Sequence, residues 1–108
     1  MEIIKTVVST LKQQLKIPVY HHYSPENKDF PNIVYSIISD VPALHADNTE
    51  LNANITLRLY LITKDGNYYE LQKQINNIMI NLGWSRGQSA ELTQDTYKVK
   101  TLDFKISI

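Results

Sequence analysis

The sequence contains no cysteine. Disulfide frameworks, thiol nucleophiles and cysteine-ligated zinc sites are excluded together. It also lacks net charge: eleven basic residues balance eleven acidic ones, with a pI near 6.8. A zero balance argues against a chain whose main task is to coat nucleic acid or anionic lipid by bulk charge. No run of about 18 apolar residues occurs, so no membrane-spanning helix is expected. The opening Met1-Glu2-Ile3-Ile4-Lys5 has an acid at position two and no apolar run of leader length after it, so no secretory signal is expected. Glycine is scarce, with three copies, and no linker, low-complexity tract or internal repeat is present.

What remains is an ordinary globular composition. Hydrophobic residues make up 43% and charged residues 20% of 108, which excludes a disordered chain. That length suits one domain over residues 1–108, burying about 65% of its unfolded-chain surface. A soluble, intracellular protein is the expectation.

Ile4, Val7, Val8, Leu11 and Leu15 recur at helical spacing, and Pro18 disfavours helical geometry at Ile17. The β-branched and aromatic Val19-Tyr20-His21-His22-Tyr23 predicts a short strand, followed by the polar connection Ser24-Pro25-Glu26-Asn27-Lys28-Asp29. Residues 32–39 predict a second strand with apolar groups on both faces, hence a central one. Residues 40–50 (DVPALHADNTE) follow neither a helical nor a strand period and predict a loop. From Leu51 the alternation is clean: Leu51, Ala53, Ile55, Leu57, Leu59 and Leu61 face one way, and Asn52, Asn54, Thr56, Arg58 and Tyr60 the other.

Lys64-Asp65-Gly66-Asn67 predicts a turn, and Asn67 with Glu70 has the spacing of a capping box. Leu71, Ile75, Ile78, Met79 and Leu82 form the stripe of a second helix, leaving Gln72, Lys73, Asn76 and Asn77 to water. Gly83 stands where a left-handed C-terminal cap belongs, with Trp84 folding back onto Met79. Residues 85–95 are polar, with a brief strand expected near Ala90-Glu91-Leu92. Residues 97–108 predict a final strand whose apolar residues change phase, from Tyr97 and Val99 to Leu102, Phe104, Ile106 and Ile108. A bulge near Lys100-Thr101 would account for that slip. The order α-β-β-β-α-(β)-β predicts an α+β fold: a mainly antiparallel sheet of four to five strands with two helices on one face.

No reaction signature is present: no GxGxxG, Walker loop, HExxH or GxSxG. His21 and His22 are adjacent on a strand and point to opposite faces, so they cannot chelate one ion together. His45-Ala46-Asp47 is the one local histidine–carboxylate pair, and a metal or general-base role would need partners from elsewhere; a solvated loop is the simpler reading. The expectation is therefore no enzyme, no cofactor and no metal. Seven tyrosines point instead to surfaces, most of all Tyr60, which shares a strand face with Arg58, while Tyr35 reads as core. Lys5, Lys12 and Lys16 flank the first helix as a solvated face or a contact for an acidic partner.

The sequence Pro25-Glu26-Asn27-x-x-Phe30-Pro31-x-Ile33-Val34-Tyr35, together with the order helix, strands, alternating strand, helix and final strand, resembles the small tail-terminator (tail-completion, head-tail joining) proteins of long-tailed phages and prophages. The resemblance spans essentially the whole chain. It implies a structural virion protein without enzyme activity that closes the tail tube as a ring, usually of six subunits. Its expected partners are further copies of itself, the tail-tube protein and a head-completion protein, with no nucleic-acid sequence recognition and no membrane. Its expected location is the host cytoplasm during assembly and then the tail-head junction of the virion. The contact regions it implies are residues 40–50 and 83–95. The candidate contacts are Asp40, Leu44, His45, Asp47, Arg58, Tyr60 and Arg86. The competing reading is a small dimeric α+β regulatory or ligand-binding domain.

Overall fold

Four aliphatic side chains at alternate positions, Ile55, Leu57, Leu59 and Leu61, must leave water on the same side of an extended chain. In the computed structural model they are at most 1% exposed and form the floor of the core. The structure describes residues 2–21, 31–46, 49–64, 66, 68–94 and 97–107. The elements are α1 (Glu2–Leu15), β1 (Val19–His21), β2 (Asn32–Ala46), β3 (Thr49–Thr63), α2 (Tyr69–Asn81), β4 (Ser85–Gln94) and β5 (Tyr97–Ser107). The five strands form one sheet in the order β1-β2-β3-β5-β4, antiparallel throughout except for the parallel β1–β2 pair. This is the expected α+β architecture, with its optional strand present.

Both helices lie on one face of the sheet. Ile4, Val7 and Leu11 of α1 and Ile75, Ile78 and Met79 of α2 join the β3 leucines, Leu102 and Phe104 in one cluster. Burying each large aliphatic side chain contributes about 1.5–3 kcal/mol. The first helix ends at Lys16, whose backbone turns left-handed (φ 57°) while its N–H still bonds Lys12 O at 3.0 Å. A side chain in that conformation is strained, and Pro18 follows.

The second helix ends as its sequence predicts. Gly83 has φ 99°, its N–H donates to Ile80 O at 3.0 Å, and the Trp84 N–H donates to Met79 O at 2.9 Å. That is a Schellman cap, and it seats Trp84 in the core at 2% exposure. The start differs. The N-cap is Tyr68, which makes no side-chain capping bond and is buried instead, so hydrophobic burial fixes this end. Asn67, half of the expected capping box, lies outside the described residues. Lys73 and Asn77 are exposed as expected, whereas Gln72 and Asn76 are half-buried.

Three strand expectations are corrected. Residues 40–46 and 49–50 are not a loop: they prolong β2 and begin β3, with Asp40 opposite Ile55 and Ala46 opposite Thr49. Three register shifts, after Ile37, Pro42 and Leu44, break the alternation that would have revealed them. Pro42 is accommodated because its strand is a sheet edge there. Among the described residues β5 pairs with β3 only from Asn54 onward, and the outer parts of β2 and β3 pair with each other as a two-stranded arm. Next, β4 is a ten-residue strand rather than a brief one. Finally, β5 has no bulge at Lys100-Thr101: its pairing with β3 runs unbroken from Ser107 to Lys98. The apolar phase changes because β5 is central and buries groups on both faces, Val99 on one and Leu102 and Phe104 on the other. His22, Tyr23 and the connection through Phe30 lie outside the described residues.

The two helix ends give opposite expectations. Gly83→Ala should lower stability by about 1 kcal/mol, because alanine keeps the strain that glycine avoids. Lys16→Gly should raise it by up to about 1 kcal/mol. Urea unfolding followed by Trp84 fluorescence checks both, with a blue-shifted native spectrum expected from its burial.

Candidate functional site

The face of the sheet opposite the helices carries the other half of the alternation. Cross-strand register places Val34 beside Tyr60, Arg58 beside Asp103, Tyr60 beside Thr101 and Ile62 beside Val99. Neither helix packs on this face. Val34 and Val99, though only 4% exposed, stand apart from the main core cluster. Among the described residues no helix covers this face, which is open apart from a narrow apolar seam.

At its centre Arg58 of β3 meets Asp103 of β5. Arg58 Nε donates to Asp103 Oδ1 at 2.7 Å and Nη2 donates to Oδ2 at 2.9 Å. This two-point geometry adds direction to charge and is the strongest ion pair available to these groups. The Arg58 side chain is one-third exposed and that of Asp103 only 9%. Hydrogen bonding to Asp103 raises the already high pKa of Arg58, with Tyr60 adding to the effect and partial burial opposing it. The guanidinium stays charged at every physiological pH.

Beside this pair the edge strand bends. Arg86 is in register with Phe104 but Ser89 with Leu102, so one residue is extra in β4. A bulge re-aims the side chains near it. Arg86 lines a cleft of about 480 Å³ on the open face together with Gly87, Gln88, Ile38, Thr56, Arg58, Asp103 and Lys105. Gly87 is required by proximity: a Cβ there would stand 3.3 Å from both Cβ and O of Asp103. Among the described residues, Arg86 and Lys105 pair with no carboxylate, whereas Lys100 is 3.8 Å from Glu91.

The structure therefore joins three of the candidate residues. Arg58 and Tyr60 share the open face, and Arg86, beside the β4 bulge, lines the same cleft as Arg58. It places the others elsewhere: Asp40 is exposed at the base of the arm, and Leu44 and His45 pair in backbone register with Asn52 and Glu50 further out. Asp47 lies outside the described residues. Sequence reading missed Asp103 and Lys105. The available signal was a lone acid between Leu102 and Phe104, but its partner is fixed by strand register, which the sequence does not display. The lysine flank lies apart: Lys5 and Lys12 border a groove of about 440 Å³ between α1 and β2, where the His21 and Tyr35 rings stack at 4.7 Å. Tyr35 is thus half-buried in a groove wall rather than fully in the core. Among the described residues, no three histidine or carboxylate side chains are grouped to hold a metal ion, and no helix is long and apolar enough to cross a membrane.

Arg58 is consequently a structural residue as well as a surface one. Arg58→Ala strands the Asp103 carboxylate in a mostly dry position and should destabilise the fold by about 1.5–3 kcal/mol. Replacing both with leucine should recover most of that loss, as chemical denaturation of the two single variants and the double variant will measure.

No protein-family model matches this chain, and no curated protein matches it, so what it does is read from this geometry.

Proposed function

We propose that this chain is a structural subunit that closes the tail tube of a phage as an oligomeric ring and joins it to the head-completion proteins, with no catalytic role. The observation that carries this reading is the two-stranded arm formed by the outer parts of β2 and β3. A hairpin without a third strand or a helix against it is marginally stable in water. Such an element is supported when another molecule completes it, which suits a protein whose purpose is to assemble. The molecule is correspondingly long, 51 × 26 × 22 Å.

Two further features support assembly. Ring closure by one chain type requires two different surfaces that meet head to tail. The arm is one. The edge of β4 and the open face behind it form the other, β4 being the outermost strand among the described residues. The open face is mixed rather than greasy, carrying Arg58, Tyr60 and Thr101 around its valines, as befits a protein that must stay dissolved until a tube end is available. These features accord with the family likeness seen in the sequence.

Sedimentation over a wide concentration range should show assembly that closes at a fixed number. Electron microscopy of tails should show the protein at the tube end nearest the head. Replacing residues 42–53 with Asn-Gly, which joins the paired Val41 and Asn54 by a two-residue turn, should leave Trp84 buried and the fold intact while abolishing both. A two-fold dimer at every concentration, with tail length unaffected, would establish the small regulatory dimer instead.

A further inference from the structure

The groove between α1 and β2 takes no part in either assembly surface. Tyr35 and Ile37 on its floor lie opposite Leu59 and Leu57 in register, so it opens on the helical side of the sheet, away from the Arg86 cleft. Its origin is a mismatch of lengths. The fourteen residues of α1 make a rod about 21 Å long, whereas the three residues of β1 extend about 10 Å. Among the described residues the helix therefore overhangs its short partner strand, and the groove of about 440 Å³ is the space beneath the overhang.

Its surface combines an apolar floor with positive charge. Ile4 and Val8 of α1 face Ile37 of β2, and the stacked His21 and Tyr35 rings, 4.7 Å between centroids and 11° from parallel, add a flat wall. Lys5 and Lys12 stand on the rim, two turns apart on one flank of α1 and about 10 Å from each other along its axis. Among the described residues no acid lines the groove. Lys5 lies 3.7 Å from the exposed Glu2, while Lys12 pairs with no carboxylate among the described residues.

We propose that this groove binds a small organic anion with a flat apolar body, of the aromatic carboxylate class, whose head group is held by Lys12. The volume falls within the range of about 300–1,000 Å³ common to small-molecule sites, and an apolar lining with a few polar groups at the margin is their usual composition. The lining of α1 from Ile4 to Lys12 covers about 12 Å, which suits a short body better than an extended chain. A planar body lies against Ile4, Val8 and Ile37 and meets the ring pair edge-on or face-on. The flexible stem of Lys12 lets its ammonium reach over the apolar floor to a carboxylate. Charge sets the class of ligand: a cationic ligand would meet two lysines, and a neutral one would leave Lys12 without a counter-charge. The inference does not rest on the assembly reading.

Naphthalene-2-carboxylate, added to the full chain, tests it. Saturable NMR shifts are expected at Ile4, Val8, Tyr35 and Ile37, with the emission of Trp84 unchanged because Trp84 does not line the groove. Naphthalene-2-carboxamide, the same body without charge, and acetate, the charge without the body, should each bind at least about tenfold more weakly. Lys12→Glu should weaken the carboxylate at least about tenfold and spare the carboxamide, a split that general unfolding does not produce. Ser9→Phe, placed at the rim, should block both ligands with circular dichroism as in wild type. Overturning results are no saturable shift at millimolar probe, equal binding of the three compounds, or a folded Lys12→Glu variant that binds the carboxylate as wild type does. Groove signals that move with protein concentration alone would also overturn it, by making the groove a contact between copies. Binding by a chain that stays monomeric would uphold the groove while removing the ring, and rings whose groove ignores the probe would do the reverse.

Discussion

The structure depends on a sheet that is covered on one side only. The side chains of β3 are sorted by alternation alone: Leu57, Leu59 and Leu61 go under the helices, and Arg58 and Tyr60 go to the open side. Every other placement follows from that division. Because β3 is the middle strand, its neighbours inherit the same two faces through register. Two helices of 14 and 13 residues are enough to cover one face. The second face is left for polar groups and a seam of valines.

On that open face the ion pair does what a second helical layer would otherwise do. Arg58 and Asp103 are 45 residues apart in sequence and join two central strands by two charged hydrogen bonds. They lie just inside Asn54, the outermost β3 residue paired with β5 among the described residues, where the two-stranded arm begins. The pair therefore clamps the root of the arm. The same aspartate lies against Gly87 of the β4 bulge through its Cβ and backbone carbonyl, so the arm root, the cleft and the sheet edge meet at one residue. This is a charged contact held in place by strand geometry, less screened by salt than pairs of fully exposed side chains.

Strong periodicity was legible and interrupted periodicity was not. The stripe from Ile4 to Leu15, the β3 alternation and the Gly83–Trp84 ending each carry their physical cause in consecutive residues, and each matches the structure. The arm was hidden because Pro42 and three register shifts break the period while backbone pairing continues. The β4 strand was hidden for a related reason: it lies at an edge, exposed from Ser85 to Leu92, so nothing requires its residues to alternate. In β5, burial on both faces imitated a slip. Arg58 and Tyr60 were legible as neighbours, because residues two apart on a strand share a face. Their link to Asp103, Arg86 and Lys105 was not, since it depends on which residues of distant strands lie opposite one another.

The kink in β4 has a consequence for the protein in a crowded solution. A straight outermost strand ten residues long would offer a row of free amides and carbonyls onto which any extended chain could add, and then another, as fibrils grow. The extra residue between Arg86 and Ser89 interrupts that row, and Glu91 places a charge on what remains straight. Open-ended stacking of sheets is thereby discouraged at the very margin where a finite contact remains possible.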